Sequence, residues 1–314
     1  MSVAELVPRA RDGDPRSVAR LISMVENASS DVRELTAALM PYAGKAHTVG
    51  LTGSPGVGKS TITGALIAAY RAEGKRVGVL AVDPTSPFSG GALLGDRVRM
   101  QEHATDTGVY IRSMGTRGAL GGVAAATPQA VRVLDAAGCD VVLVETVGVG
   151  QAEVAIASLA DTTVVMLAPG LGDGIQAAKA GLLEVADIFV VNKADRDGAD
   201  EVVRDLRTMQ SLGDRAEPDG WRPAIRKTVA ARAEGVDDLV ATIAKHQDWL
   251  AASGALGERR RRRAAEEIEA LVLVALRAET ADPHGRGLLD ELAAKVAASD
   301  LDPYAAADQL LANS

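Results

Sequence analysis

From residue 46 onward the chain alternates short β-branched runs with longer Ala- and Leu-rich stretches. That alternation predicts the crossover units of a parallel sheet. Candidate strands fall at 48–52, 76–82, 108–112, 140–145, 162–168, 187–191 and 223–228. Val141-Val142-Leu143-Val144 and Phe189-Val190-Val191 are unbroken apolar runs, as suits strands covered by helices on both faces. The expected fold class is α/β, a three-layer core with a mainly parallel sheet. Right-handed crossovers then bring the loops that follow the strands to one edge, where such sheets hold their ligands.

Helical patterns flank this core. Residues 1–42 read as two or three helices, among them 15–26 after Asp14 and 31–40 with Asp31 as N-cap and a stop at Pro41. Behind the core, 235–250, 257–282, 286–298 and 302–312 read as helices broken at Gly254, Pro283 and Pro303. The expected division is an N-terminal helical extension at 1–45, a nucleotide-binding core at 46–252 and a C-terminal helical region at 253–314. In that last region the run Arg259 to Arg263 reads first as a solvated face and second as a contact for an acidic partner or phosphate. Ile268, Leu271, Val272 and Leu276 follow at helical spacing, as core or as a dimer seam.

Composition narrows the function classes. With 34 Lys plus Arg against 42 Asp plus Glu, a formal charge of -8 and only 3% aromatics, the chain is a poor nucleic-acid binder, so any phosphate site is local. Cys139 is the single cysteine, which excludes an internal disulfide, and the four histidines are too scattered in sequence for a metal cluster. No apolar run reaches the ~20 residues that cross a bilayer, and the start of the chain lacks a secretory pattern. A cytoplasmic protein without a membrane partner is expected.

The chemistry begins at Gly53-Ser54-Pro55-Gly56-Val57-Gly58-Lys59-Ser60-Thr61, between a strand and an amphipathic stretch at 60–72. This is the strand, loop, helix setting of a phosphate-binding loop. Its glycines let backbone N–H groups converge on phosphates, Lys59 reaches the outer phosphates, and the Ser60 hydroxyl suits magnesium. Asn192-Lys193-Ala194-Asp195 follows a later strand on the same edge. A carboxylate at Asp195 accepts from both N1–H and the exocyclic amine of guanine, whereas adenine has no proton at N1 and leaves the acid underused. GTP and GDP with Mg²⁺ are therefore the expected ligands, with Thr228, Val229 and Ala230 as a third element beside the base.

Glu145-Thr146-Val147-Gly148 ends the strand at 140–144, where Glu145 can reach the magnesium shell and the Gly148 N–H the γ-phosphate. No Gln directly follows Gly148, so slow intrinsic hydrolysis is expected. Asp83, at the end of the second strand, and Asp96 are further carboxylates for the metal or the attacking water. Arg97 and Arg99 are candidates for phosphoryl charge. The glycine-rich loop 169–179 contains Asp173, Gln176 and Lys179, and together with Gln151 supplies candidate switch residues.

In this order, the phosphate loop, Asp83-Pro84-Thr85-Ser86-Pro87, Gly95-Asp96-Arg97-Val98-Arg99, Glu145 to Gln151, Gly172 to Gln176 and Asn192 to Asp195 resemble the MeaB/ArgK/MMAA-type G proteins. The resemblance implies a P-loop GTPase that binds an adenosylcobalamin-dependent acyl-CoA mutase of the methylmalonyl-CoA mutase type, gates its cofactor loading and protects it. It also implies a homodimer held by the C-terminal helices, and a switch that includes Lys179. No cobalamin-ligating Asp-x-His-x-x-Gly motif is present, so B12 would belong to the partner. The rival readings are an ATP-dependent kinase or ATPase linked to amino-acid transport, against which Asp195 speaks, and a metal-insertion GTPase, which would need a His- or Cys-rich segment.

Overall fold

The computed structural model describes residues 1–83, 103, 105–115, 126–146, 152–170, 182–212, 220–280 and 283–312. The chain divides into two compact units, Met1–Leu256 and Gly257–Ser314. Among the described residues, the first unit carries seven strands: β1 (His47–Gly53), β2 (Val77–Asp83), β3 (Val109–Gly115), β4 (Val141–Glu145), β5 (Thr162–Leu167), β6 (Ile188–Asn192) and β7 (Ala224–Thr228). They form one sheet in the order β3-β2-β4-β1-β5-β6-β7, and every pairing is parallel. Strand ends lie within one residue of the pattern-based expectation except in β3, which runs on to Gly115 because β2 pairs with it as far as Asp83.

The helices explain why the inner strands are apolar throughout. They are α1 (Val3–Arg11), α2 (Pro15–Glu26), α3 (Val32–Leu39), α4 (Lys59–Ala72), α5 (Thr127–Ala136), α6 (Ala152–Leu159), α7 (Leu182–Val185), α8 (Ala199–Leu212) and α9 (Val236–Ser253). Alternate residues of each strand point to opposite faces. Leu80, Val82, Val142 and Val144 meet α5 and the apolar sides of α1 to α3. On the other face Val49, Leu51, Val79, Val141 and Leu143 meet Ile62, Leu66 and Ile67 of α4 and Leu239 and Ile243 of α9. Phe189 and Val191 of β6 pack with Val202, Val203 and Leu206 of α8.

Local signals set the helix ends with two departures. Asp14 caps α2 as its position predicts, accepting from the Arg16 N–H at 3.3 Å and the Ser17 hydroxyl at 2.6 Å; that hydroxyl is the main reason its carboxyl sits below the usual range. Asp31, expected to do the same for α3, makes no side-chain cap, and its Oδ1 accepts from Ser30 instead. Pro283 does more than break a helix: it is the first residue of α11, where its missing N–H has no intrahelical acceptor to lose. Pro8 stands inside α1 without ending it, since Val3, Leu6, Val7 and Ala10 bury a continuous apolar side.

The second unit contains most of α10 (Ala255–Thr280) together with α11 (Pro283–Ala297) and α12 (Pro303–Ala312). Leu292 and Ala306 are its buried residues among those described. Ile268, Leu271 and Val272 of the expected stripe, with Leu273 and Val274, are 53–62% exposed, and the side chain of Leu276 lies outside those described. No helix of the described residues is long and apolar enough to cross a membrane.

Asp135, at the end of α5, secures the segment that leads into β1. Its carboxylate accepts the N–H groups of Gly44, Lys45 (3.2 Å) and Ala46 (2.9 Å). Nearby, burial pushes the Cys139 thiol up to about 12, so at neutral pH it is a protonated, poor nucleophile. Asp135→Ala removes the acceptor of the buried Ala46 N–H and of the two surface N–H groups before it, and is expected to lower the unfolding free energy by about 2 kcal/mol, read by urea titration. Labelling of Cys139 by a thiol reagent, which waits on opening, should then accelerate about 30-fold. A variant as stable as the parent would refute the clamp.

Candidate functional site

The sheet order puts β1 at its centre, with chain crossovers leaving to either side, and the carboxyl ends of β1, β4, β6 and β7 open on one edge. After β1, residues 53–58 turn back to the start of α4. Two glycines there have no substitute. Gly53 has φ +140°, and a Cβ on it would stand 2.2 Å from the Met166 carbonyl oxygen. Gly58 has φ +100° and would meet Asn192 Nδ2 at 2.4 Å. Lys59 is buried and folds over the loop, its Nζ donating to the carbonyls of Gly53 (2.8 Å) and Ser54 (3.2 Å). Val57 is buried and Thr61 half-buried, while Pro55 and Gly56 are exposed.

Glu145 closes β4 in register with Leu51 of β1 and Ala81 of β2. It is 3% exposed. Its two oxygens take hydroxyl protons from successive turns of α4: Ser60 donates to Oε1 at 2.6 Å and Thr63 to Oε2 at 2.9 Å. Thr146 follows, its N–H on the Leu51 carbonyl at 3.1 Å and its hydroxyl on Thr52 at 3.0 Å. Ser60 thereby sets a hydroxyl oxygen directly beside the Glu145 carboxylate. One hydroxyl and one carboxylate, all oxygen, fit magnesium, which takes most of its ligands from phosphates and water. Among the described residues there is no group of three acidic, His or Cys side chains able to hold a metal ion.

The base end is organised by Asn192, the last residue of β6. Its Nδ2 donates to the Val57 carbonyl at 2.9 Å, and its Oδ1 accepts from the Thr228 hydroxyl and the Ala230 N–H, each at 3.1 Å. Lys193 takes φ +56° and sends Nζ to the Gly56 carbonyl at 2.6 Å. Ala194 and Asp195 then line a cleft of about 220 Å³ with Lys227, Thr228, Val229, Arg232, Glu234 and Gly235. Asp195 is 40% exposed, 3.4 Å from Arg232, whose guanidinium also donates to Glu234 at 2.7 Å. A Val229–Glu234 backbone bridge folds this segment over the cleft.

The structure therefore brings together the sequence-derived residues of the phosphate loop, Glu145, Asn192 to Asp195 and Thr228 to Ala230. Asp83 ends β2 on the same edge, though only its backbone is described. Asp96, Arg97, Arg99, Gly148, Gln151, Asp173, Gln176 and Lys179 lie outside the described residues. Thr63, Arg232 and Glu234 were not singled out by the sequence. Only Thr63 had a signal, standing one helical turn after Ser60.

The family model described as methylmalonyl Co-A mutase-associated GTPase MeaB matches residues 18–283. The chain belongs to this family. A Pyrococcus abyssi relative that carries a GTPase name is 51% identical over 310 residues, 98% of this chain and 96% of that protein. GTPase ArgK of Escherichia coli is 36% identical over 271 residues, covering 84% of this chain and 82% of its own. Methylmalonic aciduria type A homolog of Mus musculus is 37% identical over 270 residues, 79% of this chain and 64% of that protein. A solved structure of a protein named LAO/AO transport system kinase superposes with a TM-score of 0.74 at 27% identity, covering 98% of this chain and 96% of the other. The MeaB family is one of P-loop GTPases, and the parallel sheet, the loop at 53–58 and the flanking helices are its architecture in this chain.

In this MeaB-family chain Asn192 is a shared joint, so a change there is expected to reach both ends of the site. Asn192→Asp replaces the Nδ2 donor by an oxygen facing the Val57 carbonyl. The expected result is a loss of about 2–3 kcal/mol of stability in urea and at least about tenfold weaker GDP binding by calorimetry. A variant that loses base selectivity yet keeps full stability would show that the joint does not bear on the fold.

Proposed function

We propose that this chain binds GTP and GDP with Mg²⁺ on the open sheet edge. Hydrolysis then drives a chaperone cycle on an adenosylcobalamin-dependent acyl-CoA mutase, gating its cofactor loading and protecting it. The observation that carries the mutase reading is the family match across residues 18–283, since the family is described by its association with that enzyme. Support for guanine over adenine comes from Asp195, a carboxylate facing a cleft beside Thr228 and Val229. A second reading, an ATP-dependent kinase of amino-acid transport, draws on the name of the superposed structure. It leaves that acid without a role.

In this reading the backbone N–H groups of 56–60 and the positive end of α4 cradle the β- and γ-phosphates. Lys59 turns from the loop carbonyls toward phosphate oxygens. Ser60 and Glu145 hold the metal side, with Asp83 and Asp96 as further carboxylates. The bound ion neutralises charge that grows on the transferred phosphoryl group. Gly148 and Gln151 sense the γ-phosphate, and Asp173, Gln176 and Lys179 pass its loss to the partner. With no Gln after Gly148 to orient water, turnover by the protein alone stays well below one per second. The exposed stripe of α10 is suited to a second copy of the chain, giving a homodimer in the cytoplasm.

Calorimetry on the purified protein is expected to show GDP binding and no ADP binding. Lys59→Ala should remove it, and Asp195→Asn should lose guanine preference while the protein stays folded. Capture of a B12-dependent mutase on immobilised GTP-loaded protein tests the partner. Uptake of ADP but not GDP would overturn the guanine reading. Turnover of many GTP per second without a partner would overturn the slow-hydrolysis reading.

A further inference from the structure

We propose that Thr63 is the positioning residue of the metal-side carboxylate, holding Glu145 so that it and the Ser60 hydroxyl face the cation together. The inference rests on the reading of Ser60 and Glu145 given above and adds a residue that reading does not contain. Thr63 is fully buried and lies one turn after Ser60 on the same side of α4. Its Oγ1 is 2.9 Å from Glu145 Oε2 and 3.0 Å from the Lys59 carbonyl oxygen. A hydroxyl has one proton, and both neighbours are acceptors when Glu145 is ionised. The Lys59 carbonyl already receives a backbone N–H through the helix repeat, and a charge-assisted bond is roughly twice as strong as a neutral one. The proton therefore goes to the carboxylate.

This matters because the acid is Glu. One methylene more than Asp gives it reach from the end of β4 but also an additional torsion to fix. Ser60 fixes one oxygen of the carboxylate, Oε1, and Thr63 the other, Oε2, so two hydroxyls on one rigid helix grip the two oxygens of one carboxylate. A threonine used only to back-bond its own helix would have no need to stand beside Glu145.

The test follows release of a fluorescent GDP analogue from the full chain, in Mg²⁺ and in EDTA. Their ratio reads the coupling between metal and nucleotide. Thr63→Val, which keeps the shape, is expected to raise the Mg²⁺ midpoint about tenfold, as loss of a residue that orients a metal ligand does, and to leave release in EDTA within about twofold. Thr63→Ser should behave as the parent. Thr63→Ala should repeat the valine result and serves if that variant does not fold. Glu145→Asp, too short for Thr63, should also raise the midpoint, and adding Thr63→Val to it should change nothing more.

A parental midpoint in both hydroxyl-free variants overturns the proposal. So does equal loss in Thr63→Ser, which would mark a packing role, or independent effects in the double variant. A parent that holds no GDP in either buffer fails the guanine reading itself. A parent that holds GDP without regard to Mg²⁺ fails the metal role of Ser60 and Glu145 and this inference with it.

Discussion

A single buried amide holds the two halves of the site in one piece. Asn192 ends β6 and reaches past β5 to the loop after β1, its three hydrogen bonds running to Val57 in that loop, to Thr228 at the end of β7 and to Ala230 just beyond it. An amide suits this position because it donates on one side and accepts on the other; a carboxylate or an apolar group of the same size leaves buried polar atoms of the loops unsatisfied. The contact is so close that Gly58 has no room for a methyl group. The glycine thus serves two constraints at once, the left-handed turn into α4 and the approach of β6. Lys193, from the next position, adds a second tie to Gly56.

The Glu145 side of the site obeys a different constraint, set by the sheet. Parallel pairing fixes Glu145 opposite Leu51 and Ala81, just below the loop, and α4 starts immediately above it. Because α4 packs on the sheet through Ile62, Leu66 and Ile67, its adjoining residues Ser60 and Thr63 are held against the carboxylate. The apolar face of the helix and its polar first turn therefore act in concert: burial of the former sets the distance of the latter.

Much of this could be read from the chain before any coordinates. Unbroken apolar runs such as Val141 to Val144 identify strands covered on both faces, and the loop at 53–58 and Asn192 to Asp195 carry their chemistry in local spacing. What escaped was the product of tertiary pairing. The extension of β3 to Gly115 depends on β2, not on its own residues. Asp31 is a local exception to this: it has the right residue type for a cap, yet its side chain turns to its neighbour Ser30. Thr63 meets a residue 82 positions away, and Arg232 meets Asp195 only because β6 and β7 are neighbours. Such contacts leave no periodic trace.

The two ends of the site also differ in their exposure to water, and this divides their roles. Lys59, Ser60, Thr63 and Glu145 are all buried, so their charges and hydroxyls act in a medium of low dielectric where each contact counts for more. Asp195 and Arg232 stand half in solvent, where an ion pair at 3.4 Å contributes little. A ligand that hydrogen-bonds to Asp195 therefore displaces Arg232 at small cost, and Glu234, already in contact, retains the guanidinium. The Glu145 end of the site is thus enclosed and the Asp195 end open, so contacts at the first count for more than contacts at the second.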